Sequence, residues 1–299
     1  MPLRAAINGF GRIGRLVLRS IIEHERRDIE VVAINDLGPV ETNAHLLRYD
    51  SVHGRFSGVV GVQGDTIDVG LGPIKVTAIR DPAELPHRAL GVDIALECTG
   101  LFHTNDKAKA HLEAGARKVL ISAPADGADK TIVFGVNHEA LTSADLIVSN
   151  GSCTTNCLAP VAKVLHDLAG IERGYMTTIH AYTGDQPTHD ALHHDLYRAR
   201  AAALSMIPTS TGAAKAIGLV LPELAGKLDG AAIRVPTANV SVVDVKFVPC
   251  RDVTRDEINA ALTEAAGSGP LLGILAVTTD PLVSVDLNHT PVSCTVALA

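Results

Sequence analysis

A cysteine among small hydroxyl and amide side chains, in Ser149-Asn150-Gly151-Ser152-Cys153-Thr154-Thr155-Asn156-Cys157, is the stretch of this 299-residue chain best suited to chemistry. It follows an apolar strand, Leu146-Ile147-Val148, and opens a helical pattern. A thiol at a helix start meets unpaired backbone N–H groups and the positive end of the helix dipole. Both lower its pKa and populate the nucleophilic thiolate. The plainer alternative is a buried, inert cysteine, which suits Cys98 and Cys250. Cys153 and Cys157, four apart, could also be half of a metal site. With five cysteines and no second ligand pair, no metal is expected. Pro160 within the same pattern predicts a bend, or a helix confined to its early turns.

A second chemical signal lies at the start of the chain. Arg4–Asn8 reads as a buried strand, Gly9-Phe10-Gly11-Arg12-Ile13-Gly14 follows, and Arg15–Ile22 has helical spacing. The next apolar strand, Val31–Ile34, ends in Asn35-Asp36. Glycines between strand and helix, with an acid after the following strand, are the context in which this pattern binds a dinucleotide. They permit a tight turn and close approach to a pyrophosphate resting on the helix N-terminus. Asp36 can accept from both ribose hydroxyls and would repel a 2′-phosphate, so NAD is expected over NADP. The alternative is an ordinary glycine turn with Asp36 merely solvated.

The elements that must position these groups follow in alternation. Strand-like runs at Lys75–Ile79, Asp93–Glu97, Lys118–Ser122 and Thr131–Phe134 are interleaved with helical patterns near 43–49 and 105–116. That order predicts an α/β fold with a doubly wound, Rossmann-type sheet. The chain is long enough for two domains. We expect a dinucleotide-binding domain over 1–150 and a catalytic α+β domain over 151–299. Lys+Arg 26 against Asp+Glu 33 gives a net charge of −7 with no basic block, so nucleic acid and anionic membrane are poor partners. No apolar run reaches the ~18 residues of a spanning helix. The cysteine usage and the absence of a signal-peptide layout predict a cytoplasmic protein.

The stretch 149–160 resembles, almost letter for letter, the active-site signature of phosphorylating, NAD-dependent glyceraldehyde-3-phosphate dehydrogenases of bacterial type. Gly151 departs, standing where the family usually has alanine. Tyr49–Phe56, Glu97-Cys98-Thr99-Gly100 and Ser122-Ala123-Pro124 also resemble that family. The resemblance implies that Gly9, Gly11, Arg12, Ile13, Gly14, Asp36, Arg80 and Ser122 line the cofactor site, although an arginine like Arg80 is commonly just solvent-facing. It also implies a base, His180 in Thr177-Thr178-Ile179-His180-Ala181-Tyr182-Thr183, a strand that carries it to the thiol.

By the same resemblance, Cys153 adds to the aldehyde, hydride passes to NAD, and inorganic phosphate attacks the thioester. Two anion sites are then needed. Thr183 and Arg234 match the first; Ser152, Thr154, Thr211 and Gly212 match the second, joined by Arg198 unless Arg200 takes that register. Thr209-Ser210-Thr211-Gly212 also reads simply as a helix cap before Ala213–Leu221, using the same backbone amides. Residues 183–207 correspond to a loop that reaches a neighbouring subunit in a homotetramer. His194 and His87 stand where many relatives have lysine and tryptophan.

The resemblance runs from about Leu3 to Val292 and then breaks. A strand, an aromatic-rich motif and most of a closing helix are missing, and Thr295–Ala299 resembles only that helix's last residues. The complete lack of Trp fits the same gap. The expected activity is oxidation of glyceraldehyde 3-phosphate with phosphate to 1,3-bisphosphoglycerate, in glycolysis or gluconeogenesis. The rivals are erythrose-4-phosphate dehydrogenase, a catalytically impaired NAD-binding relative, and a Cys–His hydrolase, which leaves Asp36 and the glycine turn unexplained.

Overall fold

A computed structural model describes residues 1–298. Contacts divide the chain into two units, Met1–Ile132 with Leu141–Gly151, and Val133–Ala140 with Ser152 onward.

The first unit is built around one large sheet. It begins with β1 (Leu3–Asn8), α1 (Arg12–Glu23), β2 (Ile29–Asn35) and α2 (Val40–Arg48). The short pair β3 (Tyr49–Asp50) and β4 (Gly54–Arg55) leads to β5 (Gly61–Gln63), β6 (Thr66–Asp68) and β7 (Pro73–Thr77). Then come β8 (Ile94–Glu97), α3 (Asn105–Glu113), β9 (Lys118–Ile121), β10 (Lys130–Thr131) and β11 (Ile147–Ser149). The sheet order is β10-β11-β9-β8-β1-β2-β7-β6-β5. Strands from β10 to β7 pair in parallel, while β6 and β5 add an antiparallel edge. Ile7, Leu18, Ile34, Leu47 and Ile67 form the core between sheet and helices. Parallel order reverses at β1, with β2 on one side and β8 on the other, so the carboxyl ends of β1, β2 and β8 flank a switch-point crevice.

The antiparallel β5–β6 edge is additional to the strands expected from the sequence. The strand expected over Thr131–Phe134 is cut short. It ends at Thr131, because Gly135 takes φ +86° and the Asn137 side chain accepts from the Val133 N–H in a turn.

The second unit contains α4 (Cys153–Ala169), β12 (Ile171–Ala181), β13 (Ile207–Ser210), α5 (Ala213–Val220), β14 (Leu228–Val235), β15 (Val242–Pro249), α6 (Arg255–Gly267), β16 (Leu275–Thr278) and β17 (Cys294–Ala297). Its main sheet has the order β13-β14-β12-β15, with two antiparallel pairings and one parallel. Leu158, Ala162 and Leu165 of α4 and Ile217 of α5 pack with Met176 and Leu228 into one buried cluster.

In this unit two expectations are narrowed and one is corrected. Pro160 does not confine α4 to its early turns: the helix runs through it for 17 residues, and its buried face is secured by that cluster. The cap expected before α5 narrows to Gly212, with Thr211 Oγ1 accepting from Ala213 N–H, while Thr209 and Ser210 belong to β13 and pair with β14. Residues 295–297 are strand rather than the end of a helix, since β17 pairs in parallel with β16 and Val296 packs beside Leu271 and Leu275. Ala299 lies outside the described residues.

Candidate active site

Ser149 ends β11 and α4 starts at Cys153, so the thiol sits on the first residue of a 17-residue helix. Gly151 takes φ +66°, a conformation that favours glycine. Ser152 caps α4, its hydroxyl accepting from Thr155 N–H at 3.0 Å. Cys153 is exposed, while Thr154 and Thr155 are buried.

The Cys153 sulfur lies 3.2 Å from His180 Nε2. The other ring nitrogen, Nδ1, donates to the Ala181 carbonyl at 2.6 Å, which fixes the imidazole with Nε2 facing the thiol. Desolvation of the sulfur raises its pKa, but the bond to and charge of His180, with smaller help from Thr154, outweigh it, and the thiol is held below its ordinary value. The His180–Ala181 peptide is fixed in turn, because Ala181 N–H donates to Ser241 Oγ at 3.1 Å. Ser241 follows Val240, a β-branched residue at φ 62°, a sterically costly conformation that the surrounding turn enforces.

Cationic and hydroxyl side chains lie on the elements beside this pair. Arg234 lies opposite His180 in the β12–β14 register. Its Nη1 donates to the Ala181 carbonyl at 3.1 Å and to Thr183 Oγ1 at 3.0 Å. Its buried Nε has no protein partner, an unspent donor in a buried cation. Burial first, and Arg198 second, lower the Arg234 pKa. Arg198 donates from Nη1 to Asp185 at 3.1 Å and from Nε to Thr209 Oγ1 at 3.2 Å. Arg200 points elsewhere, to Asp190 at 2.8 Å. Thr183 also donates to Asp185. Thr211 Oγ1 accepts from Ala213 N–H at the head of α5, beside Gly212. Among the described residues, no hydrogen bond joins Ser152 or Thr154 to Thr211 or Gly212; each pair serves its own helix start.

Sequence reasoning missed Asp185, whose carboxylate binds both Thr183 and Arg198, and the turn at Val240 and Ser241. The Thr183-Gly184-Asp185 spacing was the available signal for Asp185; nothing local marked Val240.

In the first unit, Gly9 takes φ +89°, and a Cβ there would stand 2.7 Å from the Thr99 nitrogen. A Cβ at Gly11 would meet nothing within 4 Å, and α1 has no side-chain cap. A tight turn is thus followed by an open, uncapped helix start, which fits a pyrophosphate. Asp36 accepts from Phe10 N–H at 2.9 Å and Gly38 N–H at 3.0 Å, leaving lone pairs for ribose hydroxyls. Gly14 is buried under the turn, while Arg12 and Ile13 are exposed, Arg12 paired with Asp50 at 3.1 Å. Arg80 is exposed, and Ser122 N–H donates to the Glu97 carbonyl at 3.0 Å. Among the described residues, no group of three or more His, Cys, Asp or Glu could hold a metal ion.

A doubly wound NAD-binding sheet in one unit, and a thiol–imidazole pair beside the partnerless Nε of Arg234 in the other, define an NAD-dependent aldehyde dehydrogenase. The profile "Glyceraldehyde 3-phosphate dehydrogenase, NAD binding domain" matches residues 3–105, and its counterpart for the C-terminal domain matches residues 152–299. The chain belongs to the glyceraldehyde 3-phosphate dehydrogenase family. It is 73% identical over 295 residues to "Glyceraldehyde-3-phosphate dehydrogenase" of Xanthobacter flavus, covering 99% of this chain and 88% of that protein. It is 71% identical over 291 residues to the Cereibacter sphaeroides protein of the same name, covering 97% and 86%. The Geobacillus stearothermophilus protein of that name is 56% identical over 297 residues, covering 99% and 88%.

Proposed function

We propose that this chain oxidises glyceraldehyde 3-phosphate with NAD and inorganic phosphate to 1,3-bisphosphoglycerate, through a thioester on Cys153. The observation that carries the reading is the 3.2 Å approach of His180 Nε2 to the Cys153 sulfur, next to the partnerless Nε of Arg234.

His180 Nε2 and the thiol share one proton, which leaves a nucleophilic sulfur. The sulfur adds to the aldehyde carbon, and Nε2 delivers the proton to the new oxygen. Nε2 then takes that hydroxyl proton back as the carbon loses hydride. NAD, when bound, is the hydride acceptor; Gly9, Gly11, Arg12, Ile13, Gly14, Asp36, Arg80 and Ser122 would hold it. Phosphate attack on the thioester releases the acyl phosphate and returns the thiolate. Thr183 and Arg234 would bind the substrate's phosphate. Ser152, Thr154, Thr211 and Gly212, with Arg198, would receive the incoming one, because hydroxyls, amides and guanidinium forks match its oxygens.

The same reading takes the protein as a cytoplasmic homotetramer with no nucleic-acid or membrane partner. Exposed Leu192, Leu196, Tyr197, Leu204 and Met206, in the irregular stretch between β12 and β13, support self-association. No helix among the described residues is long and apolar enough to cross a membrane. Mass photometry at nanomolar concentration tests the assembly.

Activity is tested by following NADH with glyceraldehyde 3-phosphate, phosphate and NAD, beside erythrose 4-phosphate and a Cys153→Ser control. Phosphate-dependent NADH that is faster with the triose and absent in the control supports the proposal. Preference for erythrose 4-phosphate, or a folded protein with no turnover, refutes it.

A further inference from the structure

The chemistry above leaves unused a set of buried polar groups in the first unit. Glu97, the last residue of β8, is 1% exposed, His111 of α3 is 0%, and His87 is 2%. Glu97 Oε2 accepts from Asn8 Nδ2 at 2.6 Å and faces His111 Nε2 at 3.0 Å. Glu97 Oε1 accepts from Thr99 N–H at 2.7 Å and from the Thr99 hydroxyl. Behind it, His111 Nδ1 lies 3.1 Å from His87 Nε2. In front, Asn8 Oδ1 accepts from Asn35 Nδ2 at 2.8 Å. Asn35 Oδ1 in turn accepts from the Thr77 hydroxyl and from Ile79 N–H, both at 2.8 Å. One carboxylate therefore ties together the carboxyl ends of β1 and β8 and, through two asparagines, those of β2 and β7.

Those strand ends carry the proposed cofactor crevice. Gly9 leaves β1 with its N–H bonded to the Asn35 carbonyl at 2.8 Å and its α-carbon packed on the Thr99 peptide, which Glu97 holds. Asp36 is the residue after Asn35. Burial opposes ionisation of Glu97, but bonds from His111, Thr99 and Asn8 overcome it, so the carboxylate stays charged. A buried charge of this kind is weak evidence for stability, since apolar residues of similar volume commonly serve a fold as well. Its better-supported use is to impose one geometry.

We propose that Glu97 is a positioning residue for NAD: its carboxylate, backed by His111 and His87, sets the spacing between the glycine turn and the Asn35–Asp36 corner. The proposal rests on the NAD reading of that turn. Glu97→Gln keeps the shape but turns one oxygen into an N–H donor. Either end of the side chain already faces two donors, so the amide misfits in both orientations.

The test uses the full-length protein, with NAD affinity measured by calorimetry and KM and kcat by NADH formation. For Glu97→Gln, the Kd and KM for NAD should rise about tenfold, with kcat at saturating NAD within twofold of wild type. The iodoacetamide rate at Cys153 without NAD should be unchanged. A lower Tm with unchanged Kd and KM would show a merely structural carboxylate and overturn the inference. Should Glu97→Gln not fold, His111→Gln decides: a raised KM for NAD at unchanged kcat supports the proposal, and an unchanged KM overturns it. A wild-type protein that binds no NAD overturns the cofactor reading as well, and that failure is visible without any variant.

Discussion

His180 and Arg234 stand directly opposite each other on β12 and β14, and both donate to the single carbonyl of Ala181. The carbonyl that orients the His180 imidazole thus also anchors the Arg234 guanidinium. In the proposed mechanism, proton transfer and anion recognition would therefore rest on one peptide of one strand pair.

Removing the base should uncouple the thiol from that peptide. For His180→Gln, the iodoacetamide rate at Cys153 should follow a titration displaced upward, because the thiolate loses the partner that holds its pKa down. Turnover should fall by about 10²–10⁴-fold, the usual contribution of a positioned acid–base group. An unshifted alkylation profile would show that His180 does not activate the sulfur.

Arg234 should act mainly on the phosphorylated substrate. Arg234→Lys keeps a charge but loses the planar guanidinium, whose Nη1 reaches both Ala181 and Thr183 while its Nε stays open. Its KM for glyceraldehyde 3-phosphate should rise by roughly 10–100-fold, about the loss of one to two charge-assisted bonds. The weaker kcat/KM for unphosphorylated glyceraldehyde should move far less. Equal losses for both aldehydes would place the effect on the base instead.

The candidate site was legible in the sequence to different depths. The glycine turn and Asp36 show themselves because their spacing is local, strand, turn, helix and strand within about 35 residues. Cys153 is marked by the strand–helix junction. The Glu97–His111–His87 network is not legible, since Glu97 reads as an ordinary strand end and its partners lie 10 to 14 residues away on other elements. Tertiary packing also outweighed local signals at Pro160, which stays inside a helix with one buried face, and at Thr209 and Ser210, which pair with β14 while Thr211 and Gly212 cap α5. At Thr295 and Val296, whose sequence resembles a helix end, pairing with β16 makes a strand.

Asp36 should prove to be more than a filter against a 2′-phosphate. Its carboxylate also accepts from Phe10 and Gly38 N–H groups, so Asp36→Ala loosens the glycine turn itself. We expect calorimetry to show weaker NAD binding, by about tenfold for lost charge-assisted bonds, without a matching gain for NADP. Tight NADP binding by the variant would assign Asp36 a purely repulsive role.

The buried His87 gives a pH signature. Burial, with the charge of His111 second, lowers its pKa from 6.5 to about 4, so the folded state keeps it neutral. The unfolded chain binds more protons between those values. This contribution is therefore complete above about pH 6.5 and is lost as pH falls toward 4, amounting to about 2 kcal/mol between pH 7 and pH 5. His87→Leu removes that proton uptake, so its denaturant midpoint should change less over this interval than that of the wild type. Parallel curves would mean that His87 titrates normally in the fold.

The most direct test of the thioester withholds phosphate. Protein, NAD and glyceraldehyde 3-phosphate are mixed rapidly, with NADH followed by absorbance and the intact protein weighed by mass spectrometry. A thioester route gives a burst of one NADH per Cys153, an acyl adduct on that residue, and steady turnover only after phosphate is added. Sustained NADH formation without phosphate, or a burst that persists in Cys153→Ser, would contradict it.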